Sequence, residues 1–149
     1  MMDMSVFWLR VAVALYACGM LHAVATVLRR EPLFFNFALS AFSVGTILHG
    51  VSLVETWARL GHLPTDNFFQ SISLCGFQVA VFFLFIHWRY QFAPLGVFLF
   101  PLVFLSALLG SMEVPVTSWA NQSVRGAWLL VHVLFVMVGY AALLVTALA

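Results

Sequence analysis

Residues 33–54 carry no formal charge, and at ~1.5 Å per residue a helix of that length reaches across the ~30 Å hydrocarbon core of a bilayer. Comparable apolar runs recur along the chain, and they leave few folds open. Inside lipid every backbone amide must be bonded within its own helix or within a closed barrel. Runs this long and continuous predict helices. The pattern gives about five spans, at residues 5–28, 33–54, 68–86, 94–109 and 127–149. The expected fold class is all-α: a polytopic transmembrane helical bundle forming one membrane domain. Composition agrees: of 149 residues 64% are hydrophobic and 7% charged, against about a quarter charged in soluble domains.

The punctuation between the runs is local. Arg29, Arg30 and Glu31 close the first span, and Pro32 stands at a natural helix start. Arg10 is near enough to an end to snorkel. Residues 55–67 form a polar connection, and His87, Trp88, Arg89 and Tyr90 an interfacial belt. Pro101 is expected to kink the short fourth span. The 16 Phe and 5 Trp suit lipid-facing and interfacial positions. Cys18 and Cys75 lie in apolar runs, where buried packing is expected. No Cys-x-x-Cys-His run and no zinc-type spacing occurs. The six cations are all Arg and nowhere clustered into a basic run, which gives nucleic acid no surface. Arg29, Arg30 and Arg89 fall on one side of the membrane, Arg59 and Arg125 on the other. The pair after the first span predicts an outside N-terminus, with 55–67 and 110–126 on the outer face. The last run is still apolar at Ala149, so the sequence is expected to be the N-terminal part of a longer protein.

Chemistry is concentrated in histidine. His132 follows the polar, aromatic stretch at 118–126 and lies about one and a half turns into its span if the helix starts at Ala127. Helical spacing places Phe135 or Val136 and Gly139 on its face. His49 lies at a similar depth in the second span, with Gly45, Thr46, Ser52 and Leu53 one turn away. A titratable ring at such depth needs a partner, water or a ligand. The pair fits three readings: iron or another metal held by neutral imidazoles, a proton relay, or interhelical hydrogen bonds in a structural subunit. A proton-driven transporter would be expected to place an acid within a span. Asp3, Glu31, Glu55, Asp66 and Glu113 all fall at ends or in loops by these boundaries, which favours iron. His22, beside Cys18, Gly19 and Thr26, reads as packing. His62 reads as a loop residue, and His87 as a solvated interfacial one.

Two stretches resemble a known family. Gly61-His62-Leu63-Pro64-Thr65-Asp66-Asn67-Phe68-Phe69-Gln70-Ser71 is similar to the Gly-His-x-Pro-x-x-Asn-x-x-Glu-Ser-Leu segment of cytochrome c assembly proteins of the CcsA/ResC type. Trp128 to Val133, followed by Gly139-Tyr140-Ala141, resembles the helix that carries their first periplasmic haem-ligating histidine. The resemblance implies cytochrome c biogenesis in the plasma (inner) membrane. Haem b would be held or delivered on the outer face and presented to apocytochrome c, with a second assembly subunit of the CcsB/ResB type. It places His132 at a haem-iron ligand position; His49 is the lesser haem-binding candidate, in a span where relatives often carry a histidine. The chain departs from the family at Gln70, where relatives have Glu. The Trp-rich periplasmic segment and the second periplasmic histidine lie beyond this helix in relatives. The chain alone is therefore expected neither to hold haem stably nor to attach it. The alternatives are a small transporter subunit or a structural subunit with packing histidines.

Overall fold

The computed structural model describes residues 3–29, 32–91, 94–112 and 122–148. Arg30, Glu31 and Glu113, expected at span ends or in loops, lie outside the described residues. The chain folds as five helices: α1 (Met4–Arg29), α2 (Pro32–Leu60), α3 (Phe68–Tyr90), α4 (Pro94–Ser111) and α5 (Gln122–Leu148). The first four are long and apolar enough to cross a membrane, and an apolar segment His132–Leu144 runs within α5. The all-α bundle expected from the runs is the observed architecture.

Helix boundaries differ from span boundaries in one consistent way. α2 continues to Leu60 rather than stopping at 54, α3 to Tyr90 rather than 86, and α5 starts at Gln122 rather than 127. A charge ends an apolar run but not a helix, because the backbone bonds remain satisfied as the segment emerges into the interface. Glu55 is thereby a helical residue. Its Oε1 accepts the Trp8 indole N–H at 3.2 Å, and its Oε2 is buried without a hydrogen-bond partner. Beyond it, Arg59 pairs with Asp3. α2 then closes on Gly61, whose φ of 75° is the left-handed conformation glycine adopts at no steric cost, and whose N–H donates to the Trp57 carbonyl at 2.8 Å. Helix α4 continues through Pro101, which lacks the amide that would have bonded the Val97 carbonyl.

The packing is that of two hairpins. α1 lies on α2 and α3 on α4, both densely; α1 also meets α4, while the α2–α3 seam is thin and α5 rests against α3. Lipid offers no hydrophobic drive for helices to associate, so close approach and dispersion carry the joints. Small residues supply the approach. A Cβ at Gly19 would lie 3.1 Å from the Ala38 carbonyl oxygen, and one at Gly110 only 2.5 Å from Ser73 Cβ. Between them sits an aromatic core. Phe42 and Phe100 stack with centroids 4.1 Å apart, and Phe83 meets both edge-on at 5.6 and 5.3 Å. Part of the phenylalanine content expected to face lipid is thus interior, where each ring supplies a large dispersion surface. Phe37, Phe85, Phe98 and Phe135 do remain exposed.

Both cysteines are free. Cys18 is exposed and Cys75 half-buried, so neither is the fully buried packing residue the apolar runs suggested. A hydrophobic stretch encodes that a residue is in the membrane, not which side of its helix faces protein.

Candidate functional site

The connection 61–67 is built around its own cap. Asn67 is the N-cap of α3 in extended geometry, its side chain accepting the Gln70 N–H at 2.9 Å. Gln70 reaches back so that its Oε1 accepts the Asp66 N–H at 3.0 Å, a variant of the capping box that satisfies one helix-start donor and the loop N–H just before the cap. Pro64 is fully buried beneath the loop. His62 stays local, with Nδ1 3.0 Å from the Leu63 carbonyl and Nε2 3.7 Å from Asp66. The departure from Glu at position 70 thereby gains a physical reading: the bond to Asp66 needs only an acceptor oxygen, which the amide supplies. Substituting Asn67 by Ala should cost about 1 kcal/mol. Limited proteolysis within 61–67 should accelerate accordingly, while helix content of the whole chain stays the same.

One turn beyond the cap, Ser73 faces α2. Its hydroxyl is 2.9 Å from His49 Nε2. His49 is 0% exposed, and its Nδ1 lies 3.3 Å from the Tyr16 hydroxyl. The Tyr16 hydroxyl donates to Thr46 Oγ1 at 3.4 Å, which in turn donates to the Phe42 carbonyl at 2.9 Å. Tyr16 and Phe77 meet the imidazole edge-on, at 5.9 and 5.5 Å. A parallel tie lies nearer the chain's start, where Ser52 donates to the Ser5 carbonyl at 2.7 Å. The seam of small and hydroxyl residues around His49 is therefore a buried hydrogen-bonded cluster joining α1, α2 and α3. Both nitrogens of His49, the lesser haem-binding candidate, are engaged within it.

His132 stands elsewhere. It is exposed on α5, as are Val136 and Gly139, and Phe135 is 75% exposed. A Cβ at Gly139 would meet nothing within 4 Å. Farther along α5, Met137, Tyr140, Leu143, Leu144 and Ala147 face Cys75 and Val79 of α3 and Leu102 of α4 across a cavity of about 400 Å³. His132 thus has an apolar wall, room beside it and an uncovered ring. The ring partners of His49 come from α1 and α3, not from α5. His132 is ten residues into α5 and His49 eleven residues before the end of α2, about 15 and 16 Å along their own helices. Among the described residues no group of three His, Cys, Asp or Glu side chains could hold a metal ion.

The remaining histidines are at the opposite end. His22 Nδ1 lies 2.9 Å from the Cys18 carbonyl of its own helix, beside Phe34 and Phe37, in keeping with packing. His87 is not the solvated residue expected. It is half-buried against Phe35 and Phe83, at 5.5 and 5.8 Å, and its Nδ1 is sealed without a partner.

Comparison with known proteins gives one consistent direction. The chain is similar to the cytochrome c biogenesis protein CcsA of Prochlorococcus marinus strain SARG, 29% identical over 103 residues, which is 66% of this chain and 33% of the relative. CcsA of strain MIT 9312 is 26% identical over the same shares. CcsA of strain MIT 9301 is 28% identical over 116 residues, 71% of this chain and 38% of the relative. The chain thus spans about a third of the length of the curated relatives it matches. No family model matches it, and no solved structure does so significantly. The resemblance to CcsA-type assembly proteins read from the two motifs is borne out.

Proposed function

We propose that this chain, a CcsA-type membrane protein by similarity, serves cytochrome c biogenesis by offering His132 as one axial ligand to haem. Haem is the cargo rather than a resident cofactor. The observation that carries the reading is the position of His132: an imidazole well inside an apolar helix, on a face that no described helix covers. An uncovered titratable ring at that depth is costly unless something binds it. Neutral imidazole is a standard haem-iron ligand, and Phe135, Val136 and Gly139 give a porphyrin an apolar surface with room to approach.

In this reading the end bearing Leu60 and Phe68 is the outer face of the plasma membrane, and the N-terminus is outside. The capped 61–67 loop borders the site. A second subunit of the CcsB/ResB type, or further helices, completes coordination. Apocytochrome c supplies two thiols, each of which adds S–H across a haem vinyl double bond with no atom lost. The chain's own contribution is to hold and orient iron, while the reactive groups belong to haem and apocytochrome.

The test is complementation. Cells lacking the chain should lose covalent haem staining of c-type cytochromes, and the intact gene should restore it. Staining that persists at parental level without the chain rejects the proposal. A cysteine placed at residue 63 should react with a membrane-impermeant maleimide added outside; protection there, with labelling only after lysis, would reverse the orientation.

A further inference from the structure

One consistent chain of donors and acceptors around His49 assigns its tautomer. Thr46 spends its hydroxyl hydrogen on the Phe42 carbonyl, and Tyr16 spends its own on Thr46. The phenol oxygen can then only accept from His49 Nδ1. Nδ1 therefore carries the ring hydrogen, and Nε2 accepts from the Ser73 hydroxyl. A neutral imidazole has one donor and one acceptor, and both are consumed. To bind iron, Nε2 would have to leave Ser73. Gly110 of α4 presses on the other side of Ser73, where even a methyl group would lie 2.5 Å from its Cβ.

The placement of this bond gives it a larger consequence. The two hairpins meet broadly where α1 lies on α4, whereas the α2–α3 seam is thin, and the His49–Ser73 bond crosses that seam. Helix α3 in turn carries α5, and α5 carries His132. We infer that His49 is a positioning residue: a two-sided hydrogen-bonded rivet that fixes α3 on α2 along the seam the α1–α4 contact leaves thin, and so sets where α5 presents His132. The inference rests on the reading of His132 as the iron ligand only for its functional consequence; the rivet itself is a property of the bundle.

Ser73→Ala is the decisive variant, because it breaks the rivet yet leaves the imidazole free. A ligand role predicts that this change is harmless, whereas a rivet predicts loss. Two readouts in native membranes separate the outcomes. The first is cross-linking of Gly50→Cys to Phe77→Cys, positions that meet across the seam, in a Cys18→Ser, Cys75→Ser background, which reports how α3 sits on α2. The second is the level of c-type cytochromes with and without added imidazole. Ser73→Ala and His49→Ala should each lower cross-linking by about 3- to 20-fold, the equilibrium equivalent of one interhelical bond in a membrane. Cytochrome levels should fall in parallel and not respond to imidazole. His49→Gln, which can still reach the Ser73 hydroxyl, should restore both. Unchanged cross-linking in Ser73→Ala overturns the inference, as does recovery of His49→Ala by imidazole. His132→Ala should leave cross-linking intact. If it also leaves cytochromes intact, the iron reading fails while the cross-linking result for His49 stands by itself.

Discussion

Replacing His132 by Ala, in cells where the chain supports c-type cytochrome formation, should lower covalent haem attachment at least ~100-fold. Loss of a residue that merely supports a metal ligand already costs ~10- to 100-fold, and loss of the ligand itself belongs at or beyond the upper bound. The same substitution should barely change the amount of protein in the membrane. His132 is exposed on α5, and exposed substitutions fall within about ±0.5 kcal/mol. That combination separates the readings. A structural subunit with packing histidines predicts the reverse, with normal cytochromes and somewhat less protein. A transporter subunit predicts lost substrate uptake into vesicles with cytochromes unaffected. Imidazole added to the His132→Ala cells should recover part of the attachment, since the space beside Gly139 is open to a small ligand.

Gly110→Ala should be the most damaging single methyl addition among the described residues for which the space is known to be closed on both sides. The added Cβ would lie 2.5 Å from Ser73 Cβ, 2.9 Å from its Oγ and 3.3 Å from the Phe69 carbonyl oxygen. Ser73 cannot swing away without releasing His49, and Phe69 contributes backbone, which cannot yield alone. Overpacking of this kind costs about 1–3 kcal/mol. Thermal unfolding in detergent should show it as a lowered midpoint. In a Ser73→Gly background the same Gly110→Ala change should cost less, with a coupling of at least ~0.5 kcal/mol between the two sites. Gly139→Ala provides the control. Its Cβ meets nothing within 4 Å, and Ala favours a helix over Gly by about 1 kcal/mol, so the identical substitution should be neutral or stabilising. Equal effects at the two glycines would refute the packing described for α3 and α4.

Much of the architecture is legible in the residues. The apolar runs yield the helices because their length and lack of charge admit no other backbone solution in lipid. Pro32 marks the start of α2, and the apolar run opening at Phe68 marks the start of α3. Helix ends are misplaced where charge is taken as a stop, so Glu55 and Arg59 prove to be helical. The seam of Gly45, Thr46 and Ser52 around His49 points rightly to hydrogen bonding across helices. Its partners Tyr16 and Ser73 lie 33 and 24 residues away, and no periodicity within one helix names them. His87 departs from expectation for the same reason: the belt of charge and aromatics beside it says interface, while Phe35, distant in sequence, encloses it.

Read along one dimension, the residues establish a bundle of membrane helices and a likeness to CcsA-type assembly proteins, and they single out two histidines within the apolar runs. Hydrophobic length, helical rise and residue identity are local quantities, and no folding is needed to see them. That the two histidines differ in kind emerges only when the helices are packed together. His49 is closed in by hydroxyls from two other helices, while His132 looks outward from α5. Whether a nitrogen is spent or available depends on what lies against it, and in lipid that is governed by close approach between helices rather than by any property of the helix carrying it.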